Sequence, residues 1–176
     1  MNYQIKSGIL YKAEDQRKLA WIKPNLYGRE KEIFAPDDTL LATAGICRIE
    51  DADPNNEDVR TKEYVLLGAD GGRYAAARPQ YADGDDPAET GWPVCRMPRV
   101  DHAALKFDGV DYELRMDNEQ NYSLMDAGGR TCVQIMHRGM VGGWKVWTWR
   151  SMPAAFLCGL FVFCRYLEKE NEFIVV

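Results

Sequence analysis

Few side chains in this sequence can do chemistry, and their spacing narrows what that chemistry could be. There are five cysteines (Cys47, Cys95, Cys132, Cys158 and Cys164) and two histidines (His102 and His137). A zinc centre wants clustered thiolates and imidazoles, commonly with C-x-x-C spacing. The chain has no such pair, so no metal ligands are expected among these residues. A nucleophilic cysteine needs exposure and an imidazole within reach. Cys95, Arg99, Asp101 and His102 are close in sequence, which makes the 79–102 region the one place where a small-molecule sensor or an enzyme site could be built. G-x-S-x-G, Walker A and H-E-x-x-H patterns are all missing, and no catalytic residue and no cofactor are expected.

Two weaker patterns fail on inspection. Gly-Gly-Arg occurs at 71–73 and 128–130 and could cradle a phosphate. Each copy sits where a hairpin turn would place its glycines at positive φ, and neither leads into a helix N-terminus. The acidic run from Asp51 offers oxygen ligands at Asp51, Asp53 and Asn55, as a calcium loop would. Asn56 then replaces the required glycine and Lys62 the bidentate glutamate, so the loop pattern breaks.

Charge gives a third lead. The chain carries a net charge of −5, which argues against a general nucleic-acid binder. Residues 1–31 nevertheless hold seven Lys/Arg against three Asp/Glu. Within them, Lys18, Lys23, Arg29 and Lys31 lie near Trp21 and Tyr27, and cations with aromatic neighbours suit an anionic lipid surface. Those four residues are the candidate lipid-binding set. A solvated mixed-charge face is the plainer alternative.

The elements that must position these groups begin with the stretch MPAAFLCGLFVFC, residues 152–164, which passes without a charge. As a helix it would be roughly 20 Å long at 1.5 Å per residue, against about 30 Å for a bilayer core. Arg150 and Arg165 border it, so no transmembrane segment is expected. Ser151 suits an N-cap and Pro153 a first helical position. Large apolar side chains occupy every side of the wheel, so this helix, about 153–169, must be wrapped by the remainder of the chain.

That remainder reads as hairpins. LKFDGVDYELRM (105–116) turns at Asp108-Gly109 between alternating strands. YVLLGADGGRYAAA (64–77) and YSLMDAGGRTCVQI (122–135) share one layout, and EIFAPDDTLLATAG (32–45) is a weaker copy. WKVWTWR (144–150) adds a strand with Trp147 and Trp149 on one face, expected to point inward onto the helix. Stretches 50–62 and 79–98 are rich in Asp, Pro, Gly and Asn and read as surface loops. A sheet curled around one apolar helix is a closed antiparallel barrel. The fold class is therefore mainly β, a single domain over 1–176 with that helix as its axle.

The pattern resembles the tubby C-terminal-like superfamily, which includes tubby proteins, phospholipid scramblases and LURP-one-related proteins. The resemblance rests on the aromatic-x-apolar-x-Asp-x-x-Gly hairpin, here Tyr122, Leu124, Asp126 and Gly129, followed by an apolar helix after Pro153. It is good over 105–169 and looser over 1–78, and the acidic stretches 50–62 and 79–98 depart from it. It implies a barrel of about twelve strands around the helix and a lipid theme, since tubby domains hold phosphoinositide headgroups with surface cations. Their paired cationic motif is missing here, so no site residue carries over. The expectation is a non-enzymatic, cytoplasmic binding module, peripheral at a membrane, whose ligand is an anionic phospholipid or a protein partner.

Overall fold

A computed structural model describes residues 1–23, 30–49, 52, 58–91, 98–118 and 120–172. Twelve strands follow one another: β1 (Asn2–Lys6), β2 (Ile9–Lys12), β3 (Lys18–Ile22), β4 (Lys31–Phe34), β5 (Leu40–Arg48), β6 (Lys62–Gly68), β7 (Arg73–Tyr81), β8 (Val100–Phe107), β9 (Val110–Asn118), β10 (Asn121–Asp126), β11 (Thr131–His137) and β12 (Trp144–Thr148). Two single-turn helices, α1 (Pro87–Thr90) and α2 (Gly139–Gly142), lie in connections, and α3 (Ala154–Lys169) follows the last strand. Every strand pairs antiparallel with its sequence neighbour, and β1 pairs with β12, so the sheet closes.

The turns work as their residues suggest. Asp108 and Gly109 both adopt positive φ (51° and 72°), the two-residue turn whose twist matches the flanking strands. In the Gly-Gly-Arg turns, Gly71 and Gly129 take φ of 77° and 75°. The carboxylates of Asp70 and Asp126 accept the backbone N–H groups of Gly72 and Gly128 at 2.9 and 3.0 Å. A carboxylate already fills each nest, which disposes of a phosphate cradle there.

Strand alternation sends one side chain in two to the axis. Where the helix comes near, these inward residues are small: Ala20, Ala42, Ala44, Ala75, Ala77 and Ala103 are all at most 2% exposed. They line β3, β5, β7 and β8, strands that α3 approaches closely. At Gly159 the helix backbone presses on β6, since a Cβ there would lie 2.6 Å from Leu66 Cδ2. The opposite wall carries bulk instead, with Tyr122, Leu124 and Ile135 at 1% exposure. The axle is thus off-centre, and side-chain size around the wall compensates. Each large side chain of α3 sealed in this way contributes roughly 1.5–3 kcal/mol.

Both ends of α3 are fastened. Phe156 stacks on Phe107 with ring centroids 3.8 Å apart. At the other end Tyr122 donates to Glu168 at 3.2 Å, and Lys62 pairs with Glu170 at 2.7 Å. Asn171 accepts from the Val100 N–H at 2.9 Å and donates to the Val100 carbonyl at 2.8 Å, mimicking a strand partner for β8.

Several local expectations need correction. Ser151 does not cap α3; Pro153 stands at the N-cap, and no side chain bonds there. Trp147 and Trp149 point outward, and Trp149 is 53% exposed. The inward face of β12 carries Trp144, Val146 and Thr148, and it is Trp144 that meets the helix, 5.3 Å from Phe161. With the interior already filled by α3, the narrower Val146 and Thr148 fit inside and the two indoles are displaced to the surface. Strand β7 runs on through Pro79, Gln80 and Tyr81, into the stretch read as a loop. Residues 50–51, 53–57 and 92–97 of the two loop stretches lie outside the described residues.

Candidate functional site

The outer face of β2–β5 holds two of the four cations named from sequence, Lys18 and Lys23. Its cross-strand register aligns Ile9, Trp21, Phe34 and Leu40 in one row, each directly opposite the next. Trp21 and Phe34 stack at 4.9 Å, and Asp38 accepts the indole N–H at 3.1 Å, which fixes the ring. Lys18 Nζ lies 5.3 Å from the Trp21 ring and Lys23 Nζ lies 5.9 Å from the Phe34 ring. The structure thus brings Lys18 and Lys23 to one aromatic strip. Lys23 also pairs with Glu32 at 2.7 Å, so only part of its charge projects outward. Lys31 stands opposite the fully buried Ala44, on the inward side of β4, and has a partner of its own. It is therefore separated from the strip. Arg29 and Tyr27 lie outside the described residues.

Residues 92–97 of the 79–102 region lie outside the described residues, and in the described part the polar side chains bond one another. Both nitrogens of His102 are engaged, Nδ1 with Asp101 at 2.7 Å and Nε2 with Gln80 at 3.0 Å. Arg99 pairs with Asp101 at 3.2 Å. Asp86 caps α1 and accepts from Arg60, so its oxygens are in use. Cys95 lies outside the described residues. His137 packs 4.8 Å from the Trp144 ring.

Three of the thiols, Cys47, Cys158 and Cys164, are held toward the neutral form. Burial pushes Cys158 up to about 12 and Cys164 well above the ordinary range. Cys47 is raised as well, first by burial and then by the adjacent Glu63 carboxylate. A thiol held neutral is a poor nucleophile.

Sequence reading missed a depression on the outer wall. A groove of about 970 Å³ runs along β7 and β8 to the rim where α3 begins. Ala76 and Ala104, diagonal neighbours on the outer face with short side chains, make its floor. On one wall sits Glu63, only 7% exposed, which accepts from Arg73 Nη1 at 2.9 Å and Arg78 Nε at 3.1 Å. Both arginine side chains remain more than half exposed, at 56% and 59%. Lys106 stands across from Ala76 on β8 and, among the described residues, joins no ion pair. Tyr74, Met152 and Pro153 supply apolar surface toward the rim. The only signal in the sequence was a glutamate and two arginines on neighbouring hairpin strands, which means little until register brings them together.

No described helix is long and apolar enough to cross a membrane. The interior of this barrel is apolar while Arg78, Lys106 and Arg115 stand on its outer face, the reverse of a membrane-spanning barrel. No family model, no curated protein and no solved structure matches the chain.

Proposed function

We propose that this barrel is a non-enzymatic binding module that docks on anionic lipid surfaces through the outer face of β2–β5. The observation that carries the reading is the Ile9–Trp21–Phe34–Leu40 row with the Lys18 and Lys23 ammonium groups beside its rings. Aromatic rings favour the headgroup region of a bilayer, and each nearby lysine adds about 1 kcal/mol of attraction to an anionic surface. The closed twelve-strand barrel and its enclosed apolar helix are features that the tubby resemblance implies, and lipid recognition is that group's theme. An enzyme at 79–102 is the weaker reading, because His102 has both nitrogens occupied. Co-sedimentation with phosphatidylserine-containing and pure phosphatidylcholine vesicles tests the docking. Binding to the anionic vesicles is expected at low salt, reduced by Trp21→Ala and by Lys18→Glu. Sedimentation equal for both vesicle types, or unchanged in both variants, would remove the lipid surface as the ligand.

A further inference from the structure

We infer that the outward face of β11, β12 and β1 docks a proline-rich peptide segment, in the extended polyproline conformation, that carries acidic residues beside its prolines. Alternation puts Trp147 on the outside of β12, and Trp149, just past the strand end, continues that row at 53% exposure. In register, Trp147 stands between Asn2 of β1 and Gln134 of β11. The Trp149 backbone N–H donates to the Cys132 carbonyl at 2.9 Å, which keeps the second indole beside β11. The Trp149 ring is also held from one side. Arg130 lies 4.1 Å from its centroid, and that guanidinium donates from Nε and Nη2 to the Asp126 carboxylate at 3.1 and 3.0 Å. Asp126 is itself fixed by the backbone N–H groups of Gly128 and Arg130. A large ring held in place before its partner arrives loses little conformational entropy when covered, as binding anchors do.

The hydrogen-bonding character of this face selects the occupant. Neither indole N–H has a hydrogen-bond partner among the described residues, nor do the side chains of Asn2 and Gln134. Lys6 and Lys145 are also outward on these strands and join no ion pair among the described residues. No carboxylate stands at an outward position of the three strands, and Asp126 in the adjoining turn is spent on Arg130. Apart from its amides, the face therefore offers donors. A proline-rich chain is complementary: its carbonyls are free acceptors, it has few N–H groups to satisfy, and it docks on aromatic surfaces. Two polyproline residues advance about 6.2 Å, close to the roughly 6.6 Å between successive outward residues of a strand. One such step beyond Trp147 lies Lys145, where an acidic residue of the peptide pairs. Other occupants fit less well. Sugar hydroxyls bring a donor with every acceptor, and a second copy would set Lys6 and Lys145 against their own kind. A nucleic-acid strand would meet two lysines on a chain of net charge −5. The sheet is closed, so no bare edge takes an added strand. The anchors lie on β12 and the lipid-docking strip on β2–β5, so the two readings fail separately.

The test is an NMR titration of the isotope-labelled full chain, following the signals of its five indole N–H groups. The probe is octaproline ending in an aspartate pair. Saturable shifts are expected at Trp147 and Trp149, and none at Trp21 or Trp144. Decaproline should bind severalfold more weakly, and a glycine–serine peptide ending in the same aspartate pair should not bind. Trp149→Ala changes an exposed side chain and should weaken binding about tenfold or more. Trp149→Phe keeps an aromatic ring, loses the N–H donor, and should weaken binding severalfold. Lys145→Ala should remove the advantage of the aspartates. Lys18→Glu, which impairs vesicle docking, should leave peptide binding unchanged. Shifts that never saturate, that the glycine–serine peptide reproduces, or that persist unchanged in Trp149→Ala would overturn the site. The same two signals moving with cellohexaose or with oligothymidylate, and not with the proline peptide, would overturn it in favour of a polysaccharide or a single-stranded nucleic acid.

Discussion

Replacing Gly159 by alanine should destabilise the protein, although alanine is the better helix former. In a helix interior the exchange alone is worth about 1 kcal/mol in favour of alanine. Here the new Cβ would lie 2.6 Å from Leu66 Cδ2, 2.8 Å from Cδ1 and 3.2 Å from Cγ. With both methyls and the branch atom too close, no simple rotation of Leu66 relieves the contact, and Leu66 is fully buried. Overpacking of this kind costs about 1–3 kcal/mol, and the rigid location places it near the upper end. The net is a loss of about 2 kcal/mol, or a fall in Tm of about 4–8 °C for a chain of this length. Leu66→Ala gives the control. Alone it should cost about 2–5 kcal/mol through the cavity it leaves. In that background the methyl added at position 159 has room, and Gly159→Ala should then raise stability by about 1 kcal/mol. Urea unfolding of the four proteins, followed by circular dichroism, reads this change of sign directly. An increase in stability from Gly159→Ala in both backgrounds would mean that α3 is not pressed against β6.

Two further outcomes follow from the same core. Stability should fall as pH rises above 9, because the buried acids stay protonated when folded and lose their protons when unfolded. The Cys158 thiol, pushed up from 9.0 to about 12, acts between those values, and the Tyr64, Tyr122 and Tyr166 phenols, raised by burial, act above 10.0. Each group subtracts about 1.4 kcal/mol per pH unit within its window, so urea midpoints should be level below pH 9 and then decline, less steeply in Cys158→Ala; a level profile to pH 11 would refute the burial of these groups. Finally, Trp144→Ala should cost about 3 kcal/mol by uncovering Phe161, whereas Trp149→Ala should cost under about 1 kcal/mol because it loses only a surface ring and the Arg130 contact at 4.1 Å. Equal losses in thermal unfolding would return Trp149 to the interior.

How far the molecule could be read beforehand depended on the range of each interaction. Asp108-Gly109 announces its hairpin because the turn chemistry is complete within two residues. The all-round apolarity of 156–164 required an enclosure, and the repeated hairpins were the material for one. Facing was another matter. In WKVWTWR three indoles fall on both parities, and size alone suggested the wrong one. What decides is the space left by a helix already inside, a quantity no local window contains. The same holds for Ala42 and Ala44 of ATAG and for Ala75 and Ala77 of YAAAR, which look like weak strand formers and are in fact the wall nearest the axle. Of the candidate binding residues, Lys18 and Lys23 share a face because Trp21 and Phe34 are register partners. Lys31 parts from them because simple alternation along β4 puts it on the side of the buried Ile33 and not on that of Phe34. The Glu63 cluster spans β6 and β7 through pairing offsets that a bulge at Leu66/Leu67 shifts.

The pairing of β1 with β12 has a consequence for how the chain is made. Neighbouring hairpins form from local contacts and can assemble in the order of synthesis. The closing seam cannot, since Asn2 must wait for Trp147, and the Met1 amino group for the Thr148 carbonyl. Until α3 has emerged, the growing meander is an open, curled sheet with two bare edges and an alanine-lined hollow facing water. Both are invitations to other chains. The last helix is therefore more than filling. Its arrival ends the interval in which this protein is most exposed to pairing with its own copies, and any delay in elongation between residues 148 and 169 lengthens that interval.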